Sequence, residues 1–183
     1  MRGLVASAAL ALAACASLPP PEPPAAAVVD EPFAITARMS ARHDGQGVAA
    51  HVDWTHERGR DALAFATPMG TTLARLTRDS AGARVELPDG RVVADADPSA
   101  LAARTLGFAL PVDELAWWIR GLPRPGSAHA LERDARRRAA VLAQDGWTVA
   151  YAYADDAATR PSRLDVRYPG LDVRIVVDTW RSP

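Results

Sequence analysis

The stretch that decides the fold runs from residue 163 to residue 178 and reads Arg163-Leu-Asp-Val-Arg-Tyr-Pro-Gly-Leu-Asp-Val-Arg-Ile-Val-Val-Asp178. Apolar and charged side chains alternate on both sides of Pro169-Gly170, with a single exception at Val176. A period of two is typical of strands with one dry and one wet face, and a Pro-Gly pair is typical of a turn. The stretch therefore predicts a β-hairpin within an antiparallel sheet.

Similar alternation recurs from residue 48 onward, and glycine-containing turn signals separate the runs. The apolar positions of the clearest runs are Val48, Ala50, Val52 and Trp54, then Leu63 and Phe65, then Trp147, Val149, Tyr151 and Tyr153. We expect nine or ten strands in a meander. Because strands twist, a long meander curls, so the sheet is expected to be strongly curved and incompletely closed.

Two helices interrupt the predicted meander. The first is expected near residues 98–106, because Asp97 is a capping residue and Gly107 favours a helix end. The second opens at Pro111, and its apolar stripe ends at Gly121; the stripe is Val112, Leu115, Trp118 and Ile119. We therefore expect residues 33–183 to form one mainly antiparallel β domain, an unclosed barrel with a helical lid. The five tryptophans either fill its core or line a cavity under the lid.

The N-terminal residues predict export and anchoring. Residues 1–14 contain Arg2 and an apolar stretch too short to span a bilayer, which is typical of a signal peptide. The stretch Leu12-Ala13-Ala14-Cys15 resembles the lipobox of bacterial lipoproteins; the alternative is an ordinary signal with an incidental cysteine. Residues 15–32 contain six prolines and are expected to form a Pro/Ala-rich tether behind a lipidated Cys15.

Composition excludes several functions. The sequence has 21 basic residues, all of them arginine, and 22 acidic residues. The resulting net charge of −1 argues against nucleic-acid binding. One cysteine excludes an internal disulfide and a multi-cysteine zinc site. Without lysine there is no Walker A loop, and the chain contains no Gly-x-Ser-x-Gly elbow. We therefore expect no catalytic residue, metal site or cofactor.

Two charged clusters have ordinary interpretations. His51, His56 and Glu57 straddle a strand end, where the odd spacing places the two histidines on opposite faces; we interpret them as surface residues. The arginines from Arg133 to Arg138 are diluted by acidic neighbours and favour a solvated strand edge. The alternative for these arginines is a contact with anionic lipid or an acidic partner.

The turn Thr67-Pro68-Met69-Gly70-Thr71 carries an unusual residue. Turns favour Gly, Pro, Asn, Asp and Ser, so the methionine has no local reason to be there. Either Met69 folds back onto the sheet, as this flexible side chain often does, or it is an exposed apolar probe for a membrane or a partner.

A series of motifs, in order, resembles the LolB family of outer-membrane lipoprotein receptors. The resemblance covers about residues 33–180, and its motifs are Arg38-Met39-Ser40, Trp54, Ala66 to Leu76, Asp89-Gly90-Arg91, Leu115, Trp118 to Pro123, Gln144 to Trp147 and Val177 to Trp180. It implies an unclosed antiparallel barrel of the LolA/LolB type whose helices cover a hydrophobic cavity. From strand parity and the helix stripe we place ten residues in the cavity or lid: Val52, Trp54, Leu63, Phe65, Leu115, Trp118, Ile119, Trp147, Tyr151 and Ile175.

The resemblance also implies a function. A LolA-like periplasmic carrier hands over acylated lipoprotein cargo, and the receptor, anchored through Cys15 to the periplasmic face of the outer membrane, inserts the cargo into outer-membrane lipid. Pro68, Met69 and Gly70 form the expected membrane-insertion loop, with Met69 where the family usually has leucine. We expect a monomer. The alternatives are a soluble carrier, which the lipobox opposes, and a lipid-anchored envelope scaffold or assembly protein without acyl transfer.

Overall fold

The structure, a computed structural model, describes residues 30–106 and 108–183. Cys15 and the predicted signal and tether up to residue 29 lie outside the described residues. Eleven strands and two helices follow along the chain: β1 Phe33–His43, β2 Gln46–Glu57, β3 Arg60–Ala66, β4 Thr72–Asp79, β5 Gly82–Glu86, β6 Val92–Asp95, α1 Pro98–Leu106, α2 Val112–Trp118, β7 His129–Arg133, β8 Ala139–Gln144, β9 Trp147–Ala152, β10 Arg163–Tyr168 and β11 Leu171–Arg181.

The predicted hairpin at residues 163–178 is confirmed as β10 and β11. Val166 pairs with Val173 and both are buried, whereas Asp165 and Arg174 pair on the wet face with 2.5 Å between Oδ1 and Nε. Gly170 has a φ of 77°, which the turn requires and glycine adopts without strain. The alternating apolar and charged residues of this stretch therefore lie on a buried face and an exposed face of the hairpin.

All eleven strands belong to one antiparallel sheet, in the order β6-β5-β4-β3-β2-β1-β11-β10-β9-β8-β7. The prediction of nine or ten strands in a meander was too simple, because the sheet consists of two meanders that meet where β1 pairs with β11. The short β6, with four residues, carries too few alternations to stand out in a sequence. In the described part of the chain β6 and β7 pair on one side only, so the barrel is unclosed, as expected.

The two helices lie between the meanders in sequence and cover the buried face of the sheet. The predicted bounds of α1 are confirmed, and the Asp97 carboxylate accepts a hydrogen bond from the Ser99 amide at 2.8 Å, as a cap does. Leu115 and Trp118 of α2 are buried in the same apolar core as the strands. Among the described residues, no helix has the length and apolar character that crossing a membrane requires.

The strand directions define two ends of the sheet. The end that we call the Met69 end contains the turns at residues 44–45, 67–71, 88–91, 145–146 and 169–170. The opposite end, which we call the entry end, contains residues 30–32, through which the chain enters β1, and the turns at 58–59, 80–81 and 134–138.

Candidate functional site

A small apolar cavity lies between the sheet and the helical segment. Its lining residues are Ile35, Ala37, Met39, Val52, Trp54, Leu63, Phe65, Leu110, Leu115 and Ile175. They come from β1, β2, β3 and β11 on one side and from α2 and the residue pair before it on the other. The cavity measures about 20 Å³, which is room for roughly one water molecule. In this state the helical segment is closed over the sheet.

Six of the ten residues assigned to the cavity or lid line this space: Val52, Trp54, Leu63, Phe65, Leu115 and Ile175. The strand residues among them reach it because they have inward parity, and Leu115 reaches it from α2. Trp118, Ile119, Trp147 and Tyr151 are not among the lining residues. Ile35, Ala37, Met39 and Leu110 line the cavity as well, and sequence reasoning missed them although the β1 residues alternate with a period of two.

Two of the remaining assigned residues, Trp118 and Trp147, attach α2 to the second meander, and Ile119 is fully buried directly after α2. Trp118 is fully buried, and its indole Nε1 donates to Gln144 Oε1 of β8 at 2.9 Å. The ring of Trp147 lies 6.0 Å from that of Trp118. Tyr151 is half-buried, its hydroxyl oxygen has no hydrogen-bond partner among the described residues, and burial raises the pKa of that hydroxyl. The contacts of Trp118 with Gln144 and Trp147 fix the position of α2.

Met69 is the most exposed large apolar side chain of the described residues, at 91%. The turn that displays it is tight: the Gly70 amide donates to the Thr67 carbonyl at 2.8 Å, and the Thr67 amide donates to the Thr71 carbonyl at 2.8 Å. Gly70 has a φ of 86°, which supports the turn between β3 and β4. Met69 is therefore not folded back onto the sheet, and the turn presents it to solvent.

The other exposed large apolar side chains also lie near the Met69 end. Within the described residues they are Val48, Leu73, Val92 and Tyr168. Each stands within three residues of a turn at that end. The Met69 end thus has an apolar rim, whereas the entry end contains the arginine-rich turn at residues 134–138.

The arginines of that turn are largely paired. The guanidinium of Arg136 lies 2.5 Å from the Asp156 carboxylate, and that of Arg138 lies 2.8 Å from Asp134 and stacks over the Tyr153 ring at 4.0 Å. The adjoining strand β7 is an edge strand of the described sheet. This placement agrees with the interpretation as a solvated strand edge.

His56 was wrongly interpreted as a surface residue. The two histidines do lie on opposite faces of β2, as predicted, and His51 is exposed, but His56 is only 1% exposed. Its Nδ1 lies 2.8 Å from Asp61 Oδ1 and its Nε2 lies 2.8 Å from Asp30 Oδ1. A signal existed in the sequence, since His56 has the same parity as the inward residues Val52 and Trp54.

His56 is part of a larger group that we call the ionic cluster: Asp30, His56, Asp61, Arg78, Asp113 and Arg120. Asp61 accepts hydrogen bonds from His56, from the Trp54 indole at 2.7 Å and from Arg78 Nε at 2.8 Å. Arg78 Nε also lies 3.1 Å from Asp113 in the first turn of α2, and Arg120 Nη2 lies 3.1 Å from Asp30. The cluster therefore connects the sheet near the entry end to both ends of α2.

The fold and site define a class: an unclosed antiparallel barrel whose buried face is covered by two short helices, with an apolar cavity between. The family described as outer membrane lipoprotein LolB matches residues 31–180, and the chain belongs to this family. An outer-membrane lipoprotein LolB of Chromobacterium violaceum is 37% identical over 183 residues, covering 98% of each chain. That of Thiobacillus denitrificans is 35% identical over 181 residues, covering 98% of this chain and 96% of the relative.

Solved structures agree with the fold. A LolA superfamily protein from Nitrosomonas europaea superposes with a TM-score of 0.50 at 8% identity, covering 84% of this chain and 87% of the other. A DUF1329 family protein from Desulfovibrio piger superposes with a TM-score of 0.54 at 11% identity, covering 83% and 85%. At these identities the likeness concerns the fold, which is the unclosed barrel that the sequence predicted.

Proposed function

We propose that this chain is an outer-membrane receptor that accepts acylated lipoproteins from a LolA-like periplasmic carrier and inserts them into outer-membrane lipid. The observation that carries the proposal is the wholly apolar cavity beneath α2 in a chain that belongs to the LolB family. Relatives that match almost the whole chain are named outer-membrane lipoproteins, which supports the location. No covalent step is required, so the proposed activity is transfer and not catalysis.

The energetics of acyl chains explain why a cavity is needed. Each methylene that leaves an apolar environment for water costs about 0.8 kcal/mol, so an acyl chain crosses an aqueous space only when it is shielded. The closed cavity holds about one water molecule and is far too small for a chain of a dozen methylenes. Acceptance of cargo therefore requires the helical segment to move away from the sheet, and lipid insertion follows downhill in free energy.

Met69 and its neighbours Pro68 and Gly70 are proposed to make the contact with the bilayer. The tight turn holds the Met69 side chain in solvent, and no contact within the described residues accounts for this exposure. Exposed apolar groups of this kind often mark interaction surfaces, and four further apolar side chains stand near the same end.

The N-terminal residues complete the proposal. Residues 1–14 act as the signal peptide, Cys15 carries the acyl anchor on the periplasmic face, and residues 15–32 tether the domain of residues 33–183, which works as a monomer. Several acyl chains on one cysteine anchor a protein stably, which a single chain does not. No observation favours the alternative of an anchored scaffold without acyl transfer.

A two-step transfer assay tests the function. Cargo bound to its carrier is mixed with residues 16–183 and then with liposomes, and wild type is compared with Met69→Glu and with the matched control Met69→Leu. We expect all three to take cargo from the carrier, and only Met69→Glu to fail in delivery to the liposomes. A wild-type chain that takes no cargo would refute the receptor function.

A further inference from the structure

Both ring nitrogens of His56 face carboxylate oxygens. Nδ1 lies 2.8 Å from Asp61 Oδ1 and Nε2 lies 2.8 Å from Asp30 Oδ1. Ionised carboxylates only accept hydrogen bonds, so each contact requires an N–H on the imidazole. A neutral ring has only one N–H and would place a lone pair against the other carboxylate. The geometry is therefore that of an imidazolium.

The charge of the ionic cluster balances only with this imidazolium. Its three carboxylates, from Asp30, Asp61 and Asp113, then face three cations, from His56, Arg78 and Arg120. Asp61 is fully buried and His56 almost so. A neutral His56 would leave one negative charge of the cluster uncompensated beside the fully buried Asp61, which is unfavourable.

The cluster holds α2 at both ends. Asp113 lies in the first turn of α2, and Arg120 lies two residues beyond its last residue, where it also stacks on Trp117 at 4.5 Å. Asp113 is paired with Arg78 of β4, and Arg120 is paired with Asp30 in the segment before β1. The pair of His56 and Asp61 lies between these partners, because His56 contacts Asp30 and Asp61 contacts Arg78.

The first helix is held differently. The ion pair of α1 joins Arg104 to Asp95 with 2.7 Å between the groups, and the Arg104 side chain is about half exposed. Pairs of this kind in solvent contribute little, about 0–1 kcal/mol. The buried cluster therefore distinguishes α2 from α1 among the described residues.

We propose that His56 is a positioning residue for the acyl cavity: as an imidazolium it keeps α2 closed over Leu63, Phe65 and the other lining residues, and loss of its proton loosens α2 first. This inference rests on the proposed function and deepens it.

The surroundings of His56 set the direction of the pH dependence. Burial lowers the pKa of His56, but hydrogen bonds and charges from Asp61 and Asp30 outweigh burial and raise it above its ordinary value of 6.5. The other charged groups are Arg78 on β4, Asp113 on α2 and Arg120 after it, with Glu31 and Arg160 near Arg120. The hold on α2 is therefore complete below pH 6.5 and is lost as the pH rises through the raised pKa.

Amide hydrogen exchange of the full chain between pH 6 and pH 9 tests the proposal. The reporters are the Leu115 amide of α2, which donates to the Pro111 carbonyl, the Ile119 amide directly after α2, which donates to the Leu115 carbonyl, and the Leu101 amide of α1, which donates to the Asp97 carbonyl. After correction for intrinsic exchange, we expect α2 protection to fall about tenfold as His56 loses its proton, which is the size expected for the loss of one hydrogen bond between charged groups. The Leu101 amide is expected to show no such step.

Two variants of β2 make the test specific. His56→Gln should abolish the step in α2 protection, whereas the matched control His51→Gln, on the exposed face of the same strand, should retain it. If His56→Gln does not fold, Asp113→Asn replaces it: this half-exposed carboxylate is the link from Arg78 to α2, and its loss should lower the protection of Leu115 but not that of Leu101.

The proposal is overturned if wild-type α2 protection shows no pH step, or if the step persists in His56→Gln. It is also overturned if Asp113→Asn leaves the protection of Leu115 unchanged. The transfer assay distinguishes this failure from failure of the function. Transfer without a pH step in α2 would remove only the role of His56, whereas a pH step without any transfer would remove only the receptor function.

Discussion

We expect Asp61→Asn to destabilise the fold more than the substitution of any solvent-exposed residue does. The two carboxylate oxygens of Asp61 accept four hydrogen bonds, from Trp54, from His56 and two from Arg78, and the side chain is fully buried. An asparagine offers one acceptor oxygen, and its amide nitrogen would face groups that donate. It also leaves the charges of His56 and Arg78 without their shared partner.

The magnitude follows from this loss. Removal of one partner from a buried ion pair costs about 3–5 kcal/mol. A domain of this kind is stable by about 5–15 kcal/mol, so the variant loses a large part of its free energy of unfolding. With a urea dependence of about 2 kcal/mol per molar, the midpoint of unfolding should fall by about 1.5–2.5 M.

The assay is urea unfolding followed by tryptophan fluorescence at pH 6, where His56 is charged. The control is Asp165→Asn, which removes a carboxylate of the same type from pairs with Arg163 and Arg174 on the wet face of the sheet. Since those arginines are about half exposed, the control should lose no more than about 1 kcal/mol. If Asp61→Asn shifts the midpoint no more than Asp165→Asn does, the ionic cluster does not stabilise the fold as we argue.

Three further predictions concern the same elements. Gln144→Leu should cost about 2–3 kcal/mol of unfolding free energy in urea, because it removes the acceptor of the buried Trp118 indole N–H and of the Arg124 amide. A neutral effect would show that Gln144 does not position α2. Leu115→Ala should cost about 2–5 kcal/mol and enlarge the cavity, so an apolar fluorescent dye should bind more tightly than to wild type; unchanged dye binding would contradict the cavity assignment. Wild-type stability should decline as the pH rises from 6.5 through the raised pKa of His56, and His56→Gln should lack this decline in parallel urea titrations.

Local patterns were sufficient for most of the fold. The hairpin at residues 163–178 and the bounds of α1 follow from alternation and from the Asp97 cap, which are properties of neighbouring residues. The pairing of β1 with β11 joins residues about 140 positions apart, and no local signal encodes it. The sheet was therefore predicted as antiparallel and open, but not as two meanders joined in its centre by the pairing of β1 with β11.

The site was predictable in part for a similar reason. Parity shows which side chains point inward, but it does not show which of them border an unfilled space. Trp54 and Ile175 line the cavity, whereas Trp118 with the same inward character is in the packed core. The turn at Met69 was predicted, but turn chemistry left open whether its side chain folds back onto the sheet or stands in solvent, as it does. The burial of His56 depends on partners from two other segments, Asp30 before β1 and Asp61 on β3, so its parity alone did not reveal that it would be charged and enclosed.

The pairing of β1 with β11 also has a consequence for how the chain folds. Each meander consists of hairpins between neighbouring strands and has the local contacts to form early. The first strand, however, completes its pairing only with β11, which is synthesised after the ten other strands described here. Until then β1 has an unpaired edge that invites association with other chains. Folding of the barrel therefore depends on the synthesis of β11, and a protein truncated before β11 should aggregate even though its first meander is intact.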